Sequence, residues 1–260
     1  MLVNLEQYHL TLYLWLGIAA ASFLTLLFIN APYGRHERPG WGRRISAKLG
    51  WVLMESPSII MMTIFFAIAA TAWDVANGPA IVFYLMWMAH YIHRAWVWPP
   101  RAKIRGRKMP LSLIFMGIGF NCINVWINAE WIFDLGLSQY TNSWFWTPQF
   151  IIGATLFVGG MIINIQSDEV LFSLRKNGSD SKEYKIPNGG LFRLVSCPNY
   201  LGEILEWIGW AIMTWSLAGL SFAVWAIANL LPRARANHQW YHEEFEDYPD
   251  DRKALIPYIW

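Results

Sequence analysis

The chain has 260 residues, 55% hydrophobic and 15% charged, with 17 Trp, a formal net charge of +2 and a mean hydropathy of +0.28. This is too apolar and too thinly charged for a soluble domain, so the bilayer is the expected solvent and no nucleic-acid partner is expected. Two cysteines, Cys122 and Cys197, sit in no CxxC pair or Cys/His cluster, which excludes a disulfide framework and leaves no metal site to predict.

Residues 1 to 9 carry only Glu6 as a charge, so the apolar run that follows reads as a first membrane helix and not a cleaved signal. Charge-poor stretches lie near 10–31, 50–73, 75–95, 110–133 and 148–168. Each approaches the roughly 20 residues that cross a hydrocarbon core. The stretch 200–232 is too long for one span, and it reads as a hairpin of two short helices, 200–215 and 217–232. Only then do the basic segments 35–48, 94–108 and 175–193 and the tail 233–260 share one face. The fold expected is an all-α integral membrane bundle of seven transmembrane helices, N-terminus outside and C-terminus cytoplasmic, forming a single domain over residues 1–260. No Gly-x-Gly-x-x-Gly follows a predicted strand, so a nucleotide must bind among helix ends and cytoplasmic loops.

Several polar residues stand where a membrane tolerates few. Glu55 lies about 8 Å below the predicted cytoplasmic boundary, where an ionisable group needs a partner or a purpose unless it snorkels back. Tyr91, near the end of the oppositely directed third span, reaches a similar depth. A Glu55–Tyr91 hydrogen bond is geometrically possible, and an interfacial aromatic is the other reading. Asn164, Asp168 and Arg175 recur at intervals of four and seven, which puts them on one helical face suited to a ribose or amide and then a phosphate, or else on a solvated helix end. The segment from Asn199 to Trp207 carries Glu203 and Glu206 three residues apart. Arg233, Asn237 and Tyr241 are spaced by four with His238 beside them. All these candidates fall toward one side, as a pocket requires that takes a soluble cofactor from the cytosol and a lipophilic substrate from the bilayer.

Taken together, Glu55-Ser56-Pro57, His90-Tyr91-Ile92-His93-Arg94, the run from Ile163 to Asp168 and Ile186-Pro187-Asn188-Gly189-Gly190-Leu191-Phe192 resemble successive signatures of the steroid 5-alpha-reductase family. Asn199 through Gly209, Phe245-Glu246-Asp247-Tyr248-Pro249 and Arg252 through Pro257 continue the resemblance in order, over nearly the whole chain. The resemblance implies seven transmembrane helices around a buried NADPH and reduction of the 4,5 double bond of a 4-ene-3-ketosteroid. It makes Glu55 and Tyr91 the catalytic pair. Asn164, Asp168, Arg175, Tyr184, Asn199, Glu203, Arg233, Asn237, His238 and Tyr241 would line the cofactor, with Arg94 and Arg107 near its charged portion. The implied partners are a steroid-like substrate and membrane lipid, with the protein a multi-pass monomer of a bacterial inner membrane or the endoplasmic reticulum.

Two departures bear on that carry-over. Met54 stands where animal members of the family place Gln, and Arg235-Ala236-Asn237-His238 stands where they have consecutive histidines. The chemistry implied is conjugate reduction: a donor aimed at the ketone oxygen stabilises the enolate, Tyr91 being the donor and Glu55 the group that orients it. Competing readings are reduction of another lipophilic enone, such as a 2-enoyl thioester or a polyprenal, and an isoprenylcysteine-type membrane methyltransferase. The methyltransferase leaves Glu55 and Tyr91 unexplained. A sterol-binding receptor or transporter would place polar groups near the midplane or on both sides.

Overall fold

The computed structural model of the chain describes residues 4–29, 40–72, 78–102, 104, 106–174 and 184–260. Arg175, expected at the cofactor, lies outside the described residues. Helices occupy all seven predicted segments: α1 (Leu5–Phe28), α2 (Ala47–Ala72), α3 (Gly78–Ile92), then, after the short α4 (Trp98–Arg101), α5 (Leu111–Glu130), α6 (Pro148–Ser173), α7 (Pro198–Thr214) and α8 (Leu217–Glu244). Extended structure among the described residues is confined to a two-stranded antiparallel ladder, β1 (Arg44–Ser46) with β2 (Lys108–Pro110), and one isolated bridge. Among the described residues, five helical stretches are long and apolar enough to cross a membrane: Leu5–Phe28, Ala47–Thr71, Leu111–Leu135, Pro148–Ser173 and Leu217–Glu244. Along α2, Ile60, Ile64 and Ile68 are exposed at four-residue spacing, an apolar stripe that only lipid would solvate without cost. The chain is a multi-pass membrane protein.

The chain divides into two compact units. The first comprises residues 1–13, 32–151 and 214–218. Its main feature is the pairing of α2 with α5, and the ladder sets their register. Ile45 faces Met109, Ala47 N–H bonds the Arg107 carbonyl at 3.0 Å, and Leu111 N–H bonds the Arg43 carbonyl at 2.9 Å, so both helices start from one place. They run parallel from there. Gly50 stands against Ile114, and Gly117 leaves room for the Met54 side chain, which a Cβ at 117 would overlap. Glu55 and Asn121 then come level, about 12 and 15 Å along their helices at 1.5 Å per residue. Beyond α3, residues His93–Val97 form one wide π turn in which Trp98 N–H reaches the His93 carbonyl. Pro99 and Pro100 withdraw the next two N–H donors, which is where ordinary α-helical bonding fails.

The second unit comprises residues 14–31, 152–213 and 219–260. Here α6 and α7 meet along glycines spaced by seven on each helix. A Cβ at Gly160 would lie 2.5 Å from the Gly202 carbonyl oxygen, and one at Gly202 would lie 2.6 Å from the Asn164 nitrogen. Gly153 and Gly209 repeat the contact two turns away. Such seams let backbones approach closely where lipid offers no hydrophobic drive for helix association. α8 continues through Pro232 to Glu244, three turns past the end of the predicted span. The chain then returns: Val195 bridges Lys253, and Ser196 N–H and Cys197 N–H bond the Lys253 and Ala254 carbonyls at 2.8 and 3.2 Å. Arg252 donates to the Pro187 carbonyl at 2.9 Å and to Asn188 Oδ1 at 2.6 Å. This joins the motif Ile186–Phe192 to the motif that begins at Arg252, and the Gly-Gly pair follows Asn188 directly. Gly189 and Gly190 turn the chain with φ of +108° and +51°, a region that side-chain-bearing residues rarely adopt.

Candidate active site

In the first unit a buried polar chain links three helices. Glu55 is on α2, Asn121 on α5 and Tyr91 on α3, and all three are buried. Asn121 Nδ2 donates to the Met54 carbonyl at 2.7 Å and to Glu55 Oε2 at 3.1 Å. Both amide N–H bonds therefore point at acceptors, which fixes the amide orientation and turns Oδ1 toward the Tyr91 hydroxyl at 3.5 Å. The connection described between the expected pair thus runs through Asn121. Arg94 has its Nε 4.0 Å from Glu55 Oε1, with its guanidinium 4.7 Å over the Trp51 ring. The π turn carries Arg94 there, one of the irregular turns that collect at functional sites. Arg107 is placed through its backbone at the base of α2. Met54, where the family resemblance breaks, contributes its carbonyl to Asn121 and packs its side chain against Gly117.

In the second unit the predicted cofactor residues form neighbouring groups. Asn164 Nδ2 donates to the Asn199 carbonyl at 2.9 Å, and Asn199 Nδ2 lies 3.4 Å from Asp168 Oδ1. These three meet because the glycine seam brings the end of α6 against the start of α7; Glu203 follows one turn on and is half-buried. Asn237 bonds the Tyr200 hydroxyl at 3.4 Å, and the Arg233 guanidinium stands 5.8 Å over the Tyr200 ring. Tyr241 is buried and stacks on Tyr248 at 5.1 Å with the rings 7° apart, while Tyr184 packs edge-on to Trp240 at 4.8 Å. His238 Nδ1 is 2.6 Å from Ser196 Oγ, which is 2.7 Å from the Tyr248 hydroxyl. Burial raises the Tyr248 phenol above its ordinary pKa, with bonds from Ser196 and Arg252 working the other way.

Asn121 and Ser196 stand outside the sequence motifs, and Tyr200, Tyr248 and Arg252 stand in them with no site role assigned. Asn121 had a signal, since it begins the run Asn121, Asn124, Asn128 inside an apolar span. Ser196, Tyr248 and Arg252 meet their partners through the return of the tail and Tyr200 through α8, neither of which spacing along the chain encodes.

Apolar helices around buried carboxylate, amide and phenol groups define a multi-pass membrane protein with the inventory of an enzyme. A family model described as 3-oxo-5-alpha-steroid 4-dehydrogenase matches residues 107–260. Among relatives, steroid 5-alpha-reductase DET2 of Gossypium hirsutum is 44% identical over 255 residues, covering 96% of this chain and 95% of its own. The DET2 protein of Arabidopsis thaliana is 40% identical, covering 90% of each chain. The 3-oxo-5-alpha-steroid 4-dehydrogenase 1 of Rattus norvegicus is 40% identical, covering 93% of this chain and 91% of its own. The chain belongs to the steroid 5-alpha-reductase family, and it is an oxidoreductase.

Proposed function

We propose that this protein reduces the 4,5 double bond of 4-ene-3-ketosteroids with NADPH, as a monomer and a single reductase domain. The observation that carries the reading is the buried chain Glu55–Asn121–Tyr91, a phenol held by an amide that is itself held by a carboxylate. Reduction of a conjugated double bond collects negative charge on the ketone oxygen, and a preorganised donor there lowers the barrier. Tyr91 is that donor. Its 3.5 Å contact with Asn121 is long for a bond between oxygens, so exchanging it for a substrate oxygen costs little. Glu55 fixes the Asn121 amide, and Arg94 stands 4.0 Å from the same carboxylate. Apolar surroundings exclude water and strengthen each of these interactions.

NADPH, when bound, supplies the hydride. The residues of the second unit suit it. Asp168 offers an acceptor for ribose hydroxyls, Asn164, Asn199 and Asn237 offer amide groups, and Arg233 supplies positive charge for phosphate, with Arg175 as a further cation. Glu203, Tyr184, His238 and Tyr241 complete the proposed lining.

The test is a panel of enones offered to the purified protein with NADPH. A 4-ene-3-ketosteroid should lose its enone absorbance. Turnover of a 2-enoyl thioester or a polyprenal with the steroid untouched would move the substrate assignment.

For topology we propose seven spans, with α3 (15 residues) and α7 (17 residues) crossing as short helices and the N-terminus outside. Residues 35–48, 94–108, 175–193 and the tail then share the cytoplasmic face with their lysines and arginines. Cysteines placed in the tail should resist impermeant reagents in sealed cells and react after permeabilisation. Labelling of the tail from outside would remove the seventh span.

A further inference from the structure

His238 offers one ring nitrogen, Nδ1, to Ser196 at 2.6 Å, and among the described residues no hydrogen bond is made by the other, Nε2. Which nitrogen carries the proton follows from counting hydrogens along the chain His238–Ser196–Tyr248. Ser196 Oγ stands between Nδ1 and the Tyr248 hydroxyl, 2.6 Å from one and 2.7 Å from the other, and it has a single proton. If Nδ1 were protonated it would donate to Ser196, Ser196 would donate to Tyr248, and the Tyr248 proton would need an acceptor elsewhere. The other polar neighbours of that ring are Arg252, whose guanidinium is 5.2 Å away and can only donate, and His242, 4.9 Å away and edge-on with no hydrogen bond to the phenol among the described residues. Tyr248 is buried, so an unused O–H there would be costly. The opposite direction satisfies every group: Arg252 favours the phenol oxygen as acceptor, Tyr248 donates to Ser196, and Ser196 donates to an unprotonated Nδ1. The proton of a neutral imidazole is then on Nε2.

We propose that Ser196 and Tyr248 are positioning residues that hold His238 as the neutral Nε2–H tautomer, a donor for an oxygen acceptor of the bound dinucleotide. The inference rests on the reading that the second unit binds NADPH. It also accounts for the tail: Ser196 and Lys253 are zipped together by backbone bonds, and Arg252 is anchored on Pro187 and Asn188, so the far end of the relay is fixed. Short bonds in series polarise one another, which makes the terminal N–H a better donor than an isolated histidine would give.

The full-length protein in detergent, labelled with 15N-histidine, reports the tautomer directly, with His238→Gln to assign the signal. NADPH affinity is measured by calorimetry on the same samples without a steroid. The parent should have His238 protonated at Nε2 and unprotonated at Nδ1. Ser196→Ala and Tyr248→Phe should both shift it toward a mixture of tautomers and weaken NADPH by about three- to tenfold, the range for one hydrogen bond. Ser196→Thr, which keeps the hydroxyl, should restore both readings. A parent protonated at Nδ1, or a tautomer unmoved by Ser196→Ala and Tyr248→Phe, overturns the proposal. So does a tautomer that moves while NADPH affinity does not. In that last case Asp168→Ala separates the two levels: weakened NADPH binding leaves the second unit as the cofactor site, and unchanged binding removes that reading along with the relay.

Discussion

Tyr91→Phe is expected to lose roughly a hundredfold in steroid reduction, about 3 kcal/mol of barrier, while binding NADPH like the parent. The substitution removes one hydroxyl and almost no volume, so Trp87, whose ring stacks on Tyr91 at 5.0 Å, keeps its contact. What disappears is the donor that Asn121 holds at 3.5 Å. Glu55→Gln should also impair turnover, since the neutral side chain can still accept from Asn121 Nδ2 but no longer attracts Arg94 or sharpens the amide's orientation. Combining the two should cost less than the sum of the separate losses, because residues acting in series through one amide are not independent. Enone absorbance gives the rate, and NADPH calorimetry checks that binding is intact. A Tyr91→Phe protein that turned over at near the parent rate would return Tyr91 to an interfacial aromatic.

Gly202→Val is expected to have the largest structural effect of any single change considered. A Cβ at 202 already falls 2.6 Å from the Gly160 carbonyl oxygen and the Asn164 nitrogen, both backbone atoms that cannot rotate away. Overpacking against side chains typically costs about 1–3 kcal/mol, and against backbone the helices must separate, so the cost should reach or exceed that range. Separation would also pull Asn164 from the Asn199 carbonyl it bonds at 2.9 Å. Neighbouring glycines on α6 provide the control. A Cβ at Gly159 meets nothing within 4 Å, whereas one at Gly160 meets the Gly202 carbonyl oxygen and the Glu206 nitrogen. Thermal unfolding in detergent should therefore give a lower midpoint for Gly160→Ala and Gly202→Val, at roughly 2–4 °C per kcal/mol for a chain of this size. Gly159→Ala should match the parent or exceed it slightly, by the helix preference of Ala over Gly. Equal midpoints for Gly159→Ala and Gly160→Ala would show that the α6–α7 glycine seam does not hold the helices together.

Much of the fold was legible because membrane spans announce themselves by composition. Seven apolar stretches were expected, and each is helical, with ends that shift by a few residues. The exception is α8, which runs to Glu244. A hydropathy window stops at Arg233, yet Ala234, Arg235, Ala236 and Gln239 are good helix formers, and the spacing of Arg233, Asn237 and Tyr241 had marked the continuing helix. The glycine seam was present as paired seven-residue spacings, but spacing does not say which helix faces which. Met54 illustrates the same limit. Its departure from the family pattern was visible, whereas its seat against Gly117 depends on the parallel register of α2 and α5 that the β1–β2 ladder imposes.

At the candidate site, single residues on helix faces were legible and the bonds between helices were not. Glu55 and Tyr91 stood out as polar groups in apolar segments. Asn121 did not separate from Asn124 and Asn128, since only the α2–α5 register decides which of the three meets Glu55. Asn164 and Asp168 were legible on one face of α6, whereas their meeting with Asn199 depends on the α6–α7 seam. Arg94 follows from the resemblance as a residue near the cofactor's charged portion, and its contact with Glu55 was not legible in the spacing.

The mass of the steroid product formed with NADPH deuterated at the transferable position reports directly on hydride transfer from the cofactor. With ordinary NADPH the product should be heavier than the 4-ene-3-ketosteroid by two hydrogen atoms. With the deuterated cofactor it should carry one deuterium at the carbon that received the hydride, with the second hydrogen drawn from water. A steroid recovered unchanged, or a reduced product free of deuterium, would contradict the assignment of this chain as an NADPH-dependent steroid reductase.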